Sequence, residues 1–274
     1  MAGHLPAGAG DDAFFDRRRP SISECHVVHA VMLAAGVGAR LGESDNAPPK
    51  ALLRFGGQSL LARHIALLRH AGIEALTLCV GYRADAIAAE IAACGAGDFA
   101  RTVTNPDFRE GSLVSLWSVR DALRGGGDVL LMDADVLYDQ RLLARLTGSA
   151  HANAFLMDRD IEPGEEPVKL CVRAGRIVDF EKRVEHAHDY HGESVGFFRF
   201  APAMAAKLAA QADKLVSGGL RDAWYERAIR DLVLAEPHAF GWEEVTGLPW
   251  LEIDFPADIA RAETEVLPRL EPLP

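Results

Sequence analysis

Ala30-Val31-Met32-Leu33-Ala34-Ala35-Gly36-Val37-Gly38-Ala39-Arg40-Leu41-Gly42, followed by Pro48-Pro49-Lys50-Ala51-Leu52-Leu53, is the stretch on which the reading of this chain turns. An apolar run feeds into a turn of small residues, and an arginine and a lysine follow on the same segment. A buried strand ending in such a turn brings bare backbone N–H groups close to an anion, and the two cations can close over phosphate oxygens. Gly36-Val37-Gly38 alone would serve equally as a tight strand-to-helix turn. Its place near the start of an α/β pattern sets it at the carboxyl edge of a sheet, where ligands of such folds bind. The P-loop pattern GxxxxGK[ST] is absent. A dinucleotide fingerprint would need a third glycine and an immediate helix, and Asp45-Asn46-Ala47-Pro48-Pro49 interrupts instead.

Composition narrows the field. The 274 residues are 49% hydrophobic, enough for a sizeable α/β core. The net charge of -11 argues against a nucleic-acid or anionic-membrane binder, so an anionic ligand would be held by a few local cations. No apolar run is long enough to span a bilayer, so no membrane insertion is expected. Residues 1–25 include Arg17-Arg18-Arg19 but no apolar signal core, and read as a flexible extension. Cys25, Cys79, Cys94 and Cys171 are scattered without a CxxC pair, as expected of reduced thiols in a cytoplasmic protein.

From the first strand outward, the pattern predicts strands at 27–34, 76–80, 99–103 and 129–132, with helices at 59–70, 84–93 and 112–123 between them. This alternation implies right-handed crossovers and a mostly parallel, Rossmann-like sheet flanked by helices. Past residue 150 the pattern changes to short strands at 154–157, 168–172, 176–180 and 195–200. These are expected to add an antiparallel β portion to the sheet edge. Helices at 202–215 and 220–234, a strand at 250–254 and a helix at 256–266 complete the chain. One domain over 26–270 is expected, with a nucleotide-binding half at 26–150 and an acceptor-binding half at 151–270.

LAAGVGARLG…PPKALL resembles the signature of the nucleotidyltransferases that join a nucleoside triphosphate to a phosphorylated small molecule and release pyrophosphate. Further segments follow that family in order: Gly72 to Tyr82, Asn105 to Leu116, Asp133-Ala134-Asp135, Gly192 to Phe197 and Leu251 to Asp258. The later set is similar to the cytidylyltransferase branch that acts on phosphocholine, phosphonates and inositol phosphate. The resemblance implies CTP as donor and a small phosphorylated or phosphonate acceptor. The phosphocholine enzymes usually carry a further tryptophan around Glu165-Glu166-Pro167-Val168, and this chain has none. Gly111-Ser112 stand where that branch often has an asparagine pair.

Transfer to an α-phosphate sets anion against anion and needs a divalent ion, Mg²⁺, with oxygen ligands. Asp135 is the expected ligand, with Asp133 close by. The same pair would also serve as a capped turn before a helix at Tyr138. Asp254 is the second ligand implied by the resemblance, although its place before Pro256 suits an N-cap equally; Glu252, alternate to it, is a weaker candidate. Arg40 is expected on the β- and γ-phosphates, and Lys50 between the α-phosphate and the acceptor. Backbone from Leu33, Ala34 and Ala35 through Gly36 and Gly38, together with Asn105 and Ser115, would read the nucleotide. Asn105 could instead order the turn at Pro106, and Ser115 could be a buried helix hydroxyl. The resemblance implies Lys169 and Lys182 for the acceptor's anionic group, although each would serve equally as a solvated lysine on a strand; Glu193 could hold a ribose or acceptor hydroxyl, or be a loop carboxylate. Asp222, Trp224, Tyr225 and Glu226 form an aromatic and acidic cluster that would favour an ammonium-bearing acceptor, or else pack into the core.

Two motifs point elsewhere. Gly192-Glu193-Ser194-Val195-Gly196 matches the GxSxG nucleophile elbow, with Asp231 and His238 following, but polar residues precede it and a strand pattern follows. His186, His188, Asp189 and His191 could be drawn as a zinc set, but no cysteine accompanies them and a solvated loop explains them. Two alternatives stay open: a sugar-1-phosphate or molybdopterin nucleotidyltransferase using another triphosphate, and a nucleotide-sensing module without turnover. A homodimer is compatible with the sequence.

Overall fold

The computed structural model describes residues 28–41, 47–161 and 167–274. The expected extension at 1–25, Cys25, Val27, Gly42, Asp45, Asn46, Glu165 and Glu166 lie outside the described residues.

The sheet is built on four parallel strands, β1 (Val28–Ala34), β2 (Ala75–Val80), β3 (Ala100–Thr104) and β4 (Asp128–Asp133), in spatial order 3-2-1-4. Helices α1 (Leu60–His70), α2 (Ala84–Ala93), α3 (Ser112–Ser118) and α4 (Arg120–Leu123) lie between these strands along the chain. The fully buried Val31 and Met32 show why β1 carries no polar face: it is covered on both sides. Ser59 starts α1 by accepting from the Ala62 N–H at 3.0 Å. After α5 (Gln140–Thr147) come β5 (Ala154–Asp158), β6 (Lys169–Arg173), β7 (Arg176–Glu181) and the long β8 (Tyr190–Phe200). The end of β8 pairs antiparallel with β4, so the added portion continues the same sheet as 3-2-1-4-8-6-7. The helices α6 (Pro202–Ser217) and α7 (Glu226–Ala235), the strand β9 (Gly241–Glu244) and the helix α8 (Pro256–Arg261) follow. Two apolar layers flank the sheet. One gathers Leu61, Leu68, Leu78 and Leu142, the other Leu116, Phe155, Phe198, Leu208 and Ile229. Each such side chain contributes about 1.5–3 kcal/mol by leaving water.

The structure corrects the sequence reading in four places. The helix expected over 112–123 leaves helical geometry at Val119, beside Ser118, whose hydroxyl bonds back to the Val114 carbonyl at 2.8 Å. No helix begins at Tyr138. Val136–Tyr138 is a short strand, and Asp139 caps α5 at the Arg141 N–H instead. The helix expected from 220 begins at Glu226, because residues 221–225 are drawn against the start of α3: Gly111 N–H bonds the Arg221 carbonyl at 2.9 Å and Leu113 N–H the Ala223 carbonyl at 3.1 Å. Finally, β9 pairs parallel with β5, a strand the antiparallel pattern did not foresee.

Candidate functional site

A cleft of about 920 Å³ opens at the carboxyl ends of the parallel strands. One wall is the loop after β1. Leu33 to Arg40 all line it, and Gly36 has open space where a side chain would stand. Gly38 has φ +64, and a Cβ there would sit 3.2 Å from Lys50 Cγ, so the left-handed turn lets the lysine stem pass closely. The Tyr82 N–H bonds the Ala35 carbonyl at 3.0 Å and holds the loop to the end of β2.

The floor carries the charges. Trp250–Glu252 pairs antiparallel with Val136–Tyr138, and the Ile253 N–H bonds the Asp135 carbonyl at 3.0 Å. This pairing brings together carboxylates more than a hundred residues apart. Ligand atoms of Asp135, Glu252 and Asp254 lie within 4.8 Å of one another. Lys50 Nζ donates to Asp135 Oδ2 at 2.9 Å and to Asp254 Oδ1 at 2.6 Å. Arg40 donates to Asp254 Oδ2 at 3.0 Å, and its guanidinium lies 5.7 Å from the Phe255 ring centre. Asp254 does not cap α8. Asp258 reaches back to the Asp254 and Phe255 N–H groups at 3.0 and 2.7 Å, which leaves the Asp254 carboxylate to the two cations. Burial disfavours the Lys50 ammonium, but Asp135 and Asp254 outweigh it and hold the group charged above its ordinary range. Burial would raise Asp254, yet Lys50 and Arg40 hold it below the ordinary carboxylate value. Glu252 is not held down in the same way: burial, then Asp135 and Asp254, push it well up, and Lys50 offsets only part of this. Three carboxylates converging at this spacing form an oxygen donor set suited to a hard divalent cation such as Mg²⁺.

Asp133, the last residue of β4, faces elsewhere in the cleft. Its Oδ2 accepts from the Tyr225 hydroxyl at 2.7 Å, and burial, reinforced by Asp135, raises its pKa well above the usual range. Gly196, with φ +77, stands over it, and any Cβ there would overlap the Asp133 carboxylate. Lys182, Glu193, Trp224 and Tyr225 also line the cleft, with Lys182 Nζ 4.0 Å from the Trp224 ring centre. Ser115 lines the cleft from α3.

Three expected residues are not among those lining the cleft. Asn105 is fully buried and orders its own turn, accepting from the Asp107 N–H at 2.9 Å and donating to the Ser115 hydroxyl at 3.1 Å. Lys169 ties the Pro167 and Lys182 carbonyls at 3.2 and 3.0 Å. Asp222 is exposed, outside the lining. Glu252 belongs to the carboxylate set despite its lower standing in sequence; its alternation with Asp254 was the available signal. Glu226 lines the cleft with Oε2 buried and without a hydrogen-bond partner, and burial pushes it up to about 7. The hydrolase motif has no triad: Asp231 pairs with Arg227 and Gln211, and Ser194 sits within β8. Among the described residues the histidines form no ligand set. His186 bonds Asp179 at 2.7 Å and His188 bonds His191 at 2.9 Å.

Comparison with known proteins adds the lineage. Residues 30–195 match the model of the MobA-like NTP transferase domain. The chain is 29% identical over 258 residues to a CMP-5'-(3-aminopropyl)phosphonate synthase of Streptomyces rubellomurinus, covering 89% of this chain and 40% of that protein. It is 30% identical over 242 residues to a bifunctional IPC transferase and DIPP synthase of Rubrobacter xylanophilus, covering 88% of this chain and 52% of that one. The chain thus spans about half the length, or less, of these two relatives. In fold it is similar to the CTP:phosphocholine cytidylyltransferase of Streptococcus pneumoniae, with TM-score 0.67, 21% identity, and coverage of 86% of this chain and 97% of that one.

Proposed function

Starting from the premise that the chain belongs to the MobA-like NTP transferase domain family, we propose that it transfers CMP from CTP to a small phosphorylated or phosphonate acceptor and releases pyrophosphate. One observation carries the reading: Arg40 and Lys50, from the glycine loop segment, meet Asp135 and Asp254 in a single cleft. Relatives whose names specify CMP or CTP chemistry support the choice of nucleotide.

An oxygen of the acceptor's phosphate or phosphonate attacks the α-phosphorus in line, and the bond to pyrophosphate breaks. That oxygen is already ionised near neutral pH, so no general base is needed. Catalysis is then positioning and charge neutralisation. The loop from Leu33 to Gly38 presents its backbone to the nucleotide. Arg40 offers its guanidinium to the leaving phosphates, and Lys50 stands between donor and acceptor. Asp135, Asp254 and Glu252 would hold Mg²⁺, which when bound supplies charge neutralisation and orientation to the triphosphate. Tyr225 donates its hydroxyl to Asp133 at 2.7 Å and fixes that carboxyl beside the cleft.

Pyrophosphate release, coupled to a pyrophosphatase, tests this across CTP, UTP, TTP and GTP with phosphocholine, phosphoethanolamine, aminoethylphosphonate and inositol phosphate. CTP is expected to be the fastest donor. Preference for another triphosphate with a sugar 1-phosphate would move the chain to the other branch of the family. Tight nucleotide binding without release for any pair would overturn turnover altogether.

A further inference from the structure

On the reading that Asp135, Glu252 and Asp254 hold a divalent cation, we propose that Asp158 is a positioning residue for that site, acting through the indole of Trp250. Glu252 and Asp254 are carried to Asp135 by the pairing of Trp250–Glu252 with Val136–Tyr138. Among the described residues this ribbon is a two-stranded sheet of its own, apart from the main sheet. So short a ribbon is weak by itself and depends on what it packs against. Leu137, Leu251 and Ile253 share an apolar cluster with Phe55 and Leu60. Apolar contact is non-directional, so it buries the ribbon without setting its orientation; a hydrogen bond sets it. Trp250 supplies one at the first residue of its strand, where Nε1 donates to Asp158 Oδ2 at 2.7 Å. Asp158 ends β5 and is only 6% exposed, and both residues line the cleft. The carboxylate is itself held in place. Its Oδ1 accepts from the Asp160 N–H at 2.9 Å, and Asp158 stands in register with Glu193 of β8. A Cβ at Gly192 would lie 2.6 Å from the Asp158 carbonyl, so β8 closes tightly on this end of β5. A group fixed on the main sheet thus anchors the strand that carries Glu252 and leads into Asp254. Hydrogen bonds to a carboxylate are the strong ones, and losing this one frees the ribbon at its first residue.

The test is Mn²⁺ binding to the full chain, read by EPR as loss of the free-ion signal with and without CTP, beside Tm and amide hydrogen exchange. W250F keeps a ring and removes the N–H; D158A removes the acceptor; D158N keeps one acceptor oxygen for two donors. The Mn²⁺ Kd is expected to rise about five- to tenfold in W250F and in D158A, the scale of one hydrogen bond to a charged group, with part of the loss recovered in D158N. The double variant W250F/D158A should stay within about twofold of the weaker single, because both changes break the same bond. Exchange should quicken at the Ile253 N–H, which bonds the Asp135 carbonyl, while β1 to β4 keep their protection. In the wild type the Trp250 indole N–H should resist exchange, and its NMR signal should move as Mg²⁺ is added; an indole that exchanges freely overturns the assignment, and this measurement needs no variant to fold. Wild-type Mn²⁺ affinity in W250F and D158A overturns it, as do losses that add in full in the double variant. A lower Tm with unchanged Mn²⁺ affinity makes the bond structural only and overturns it too. A wild type that binds no Mn²⁺, with CTP or without, overturns the cation-site reading and this assignment with it, whereas binding that the variants retain overturns this assignment alone.

Discussion

Replacing Lys50 by methionine keeps the aliphatic stem that packs against the Gly38 turn and removes only the charge. Lys50 Nζ lies 2.9 Å from Asp135 and 2.6 Å from Asp254, and with Glu252 the carboxylates offer ligand atoms within 4.8 Å of one another. Two unit charges at that separation repel by about 3.5 kcal/mol at an effective dielectric near 20. Without the ammonium, part of this cost is avoided as the side chains relax and water enters beside the freed carboxylates. A net loss of about 2–3 kcal/mol is then expected, which for a chain of this size lowers Tm by about 4–6 °C. A divalent cation should restore much of it, since Lys50 no longer competes for the same oxygens. Thermal unfolding of both proteins with and without magnesium, alongside pyrophosphate release, separates the two roles of the lysine. The Tm gain from magnesium should be larger in K50M than in the wild type, while turnover falls by about 10²-fold or more. A K50M protein as stable as the wild type without magnesium, or one that gains less from it, would refute the reasoning.

Three other outcomes follow from the same geometry. Arg40→Ala should lower turnover about 10²–10³-fold with little change in Tm, because its side chain is 39% exposed and its ion pair contributes little stability; near-normal pyrophosphate release would remove Arg40 from the site. Gly196→Ala should cost about 1–2 kcal/mol for its left-handed backbone alone, and more as the Cβ drives Asp133 off Tyr225; wild-type Tm and turnover together would show that the contact yields. Arg230→Ala strips the buried Asp179 of its main partner and should cost about 3 kcal/mol at neutral pH. Burial would raise Asp179, but Arg230 and His186 hold it below its ordinary value, so its contribution is present above about pH 4 and lost as pH falls further. Urea unfolding at neutral and acidic pH should therefore show the gap between wild type and variant narrowing in acid; a constant gap would count against the pair.

The parallel half of the fold was legible because its signals are local. An apolar run, a glycine turn and a helical stripe each fall within about a dozen residues, and the strands of β1 to β4 appear within two residues of where periodicity sets them. The glycine loop and its cations were legible for the same reason. What escaped depends on distant partners. Asp254 reads as a helix cap until Asp258 is seen taking that task, and Glu252 joins the carboxylates only through the pairing of 250–252 with 136–138. Residues 220–225 have helical spacing, but hydrogen bonds to the start of α3 override it. Asn105 has the chemistry to read a base, and its own turn consumes it.

The seam between Gly111 and Ala223 limits how this chain could be re-engineered. A Cβ at Gly111 would overlap the Ala223 carbonyl, two backbone hydrogen bonds cross the seam, and Arg221 reaches over it to Asp107 at 2.8 Å and Glu110 at 2.5 Å. The segment that presents Trp224 and Glu226 is thus not an interchangeable cassette. A chimera that imports 220–226 from a relative must import 107–113 as well, or the graft will distort the end of the sheet where the cleft opens.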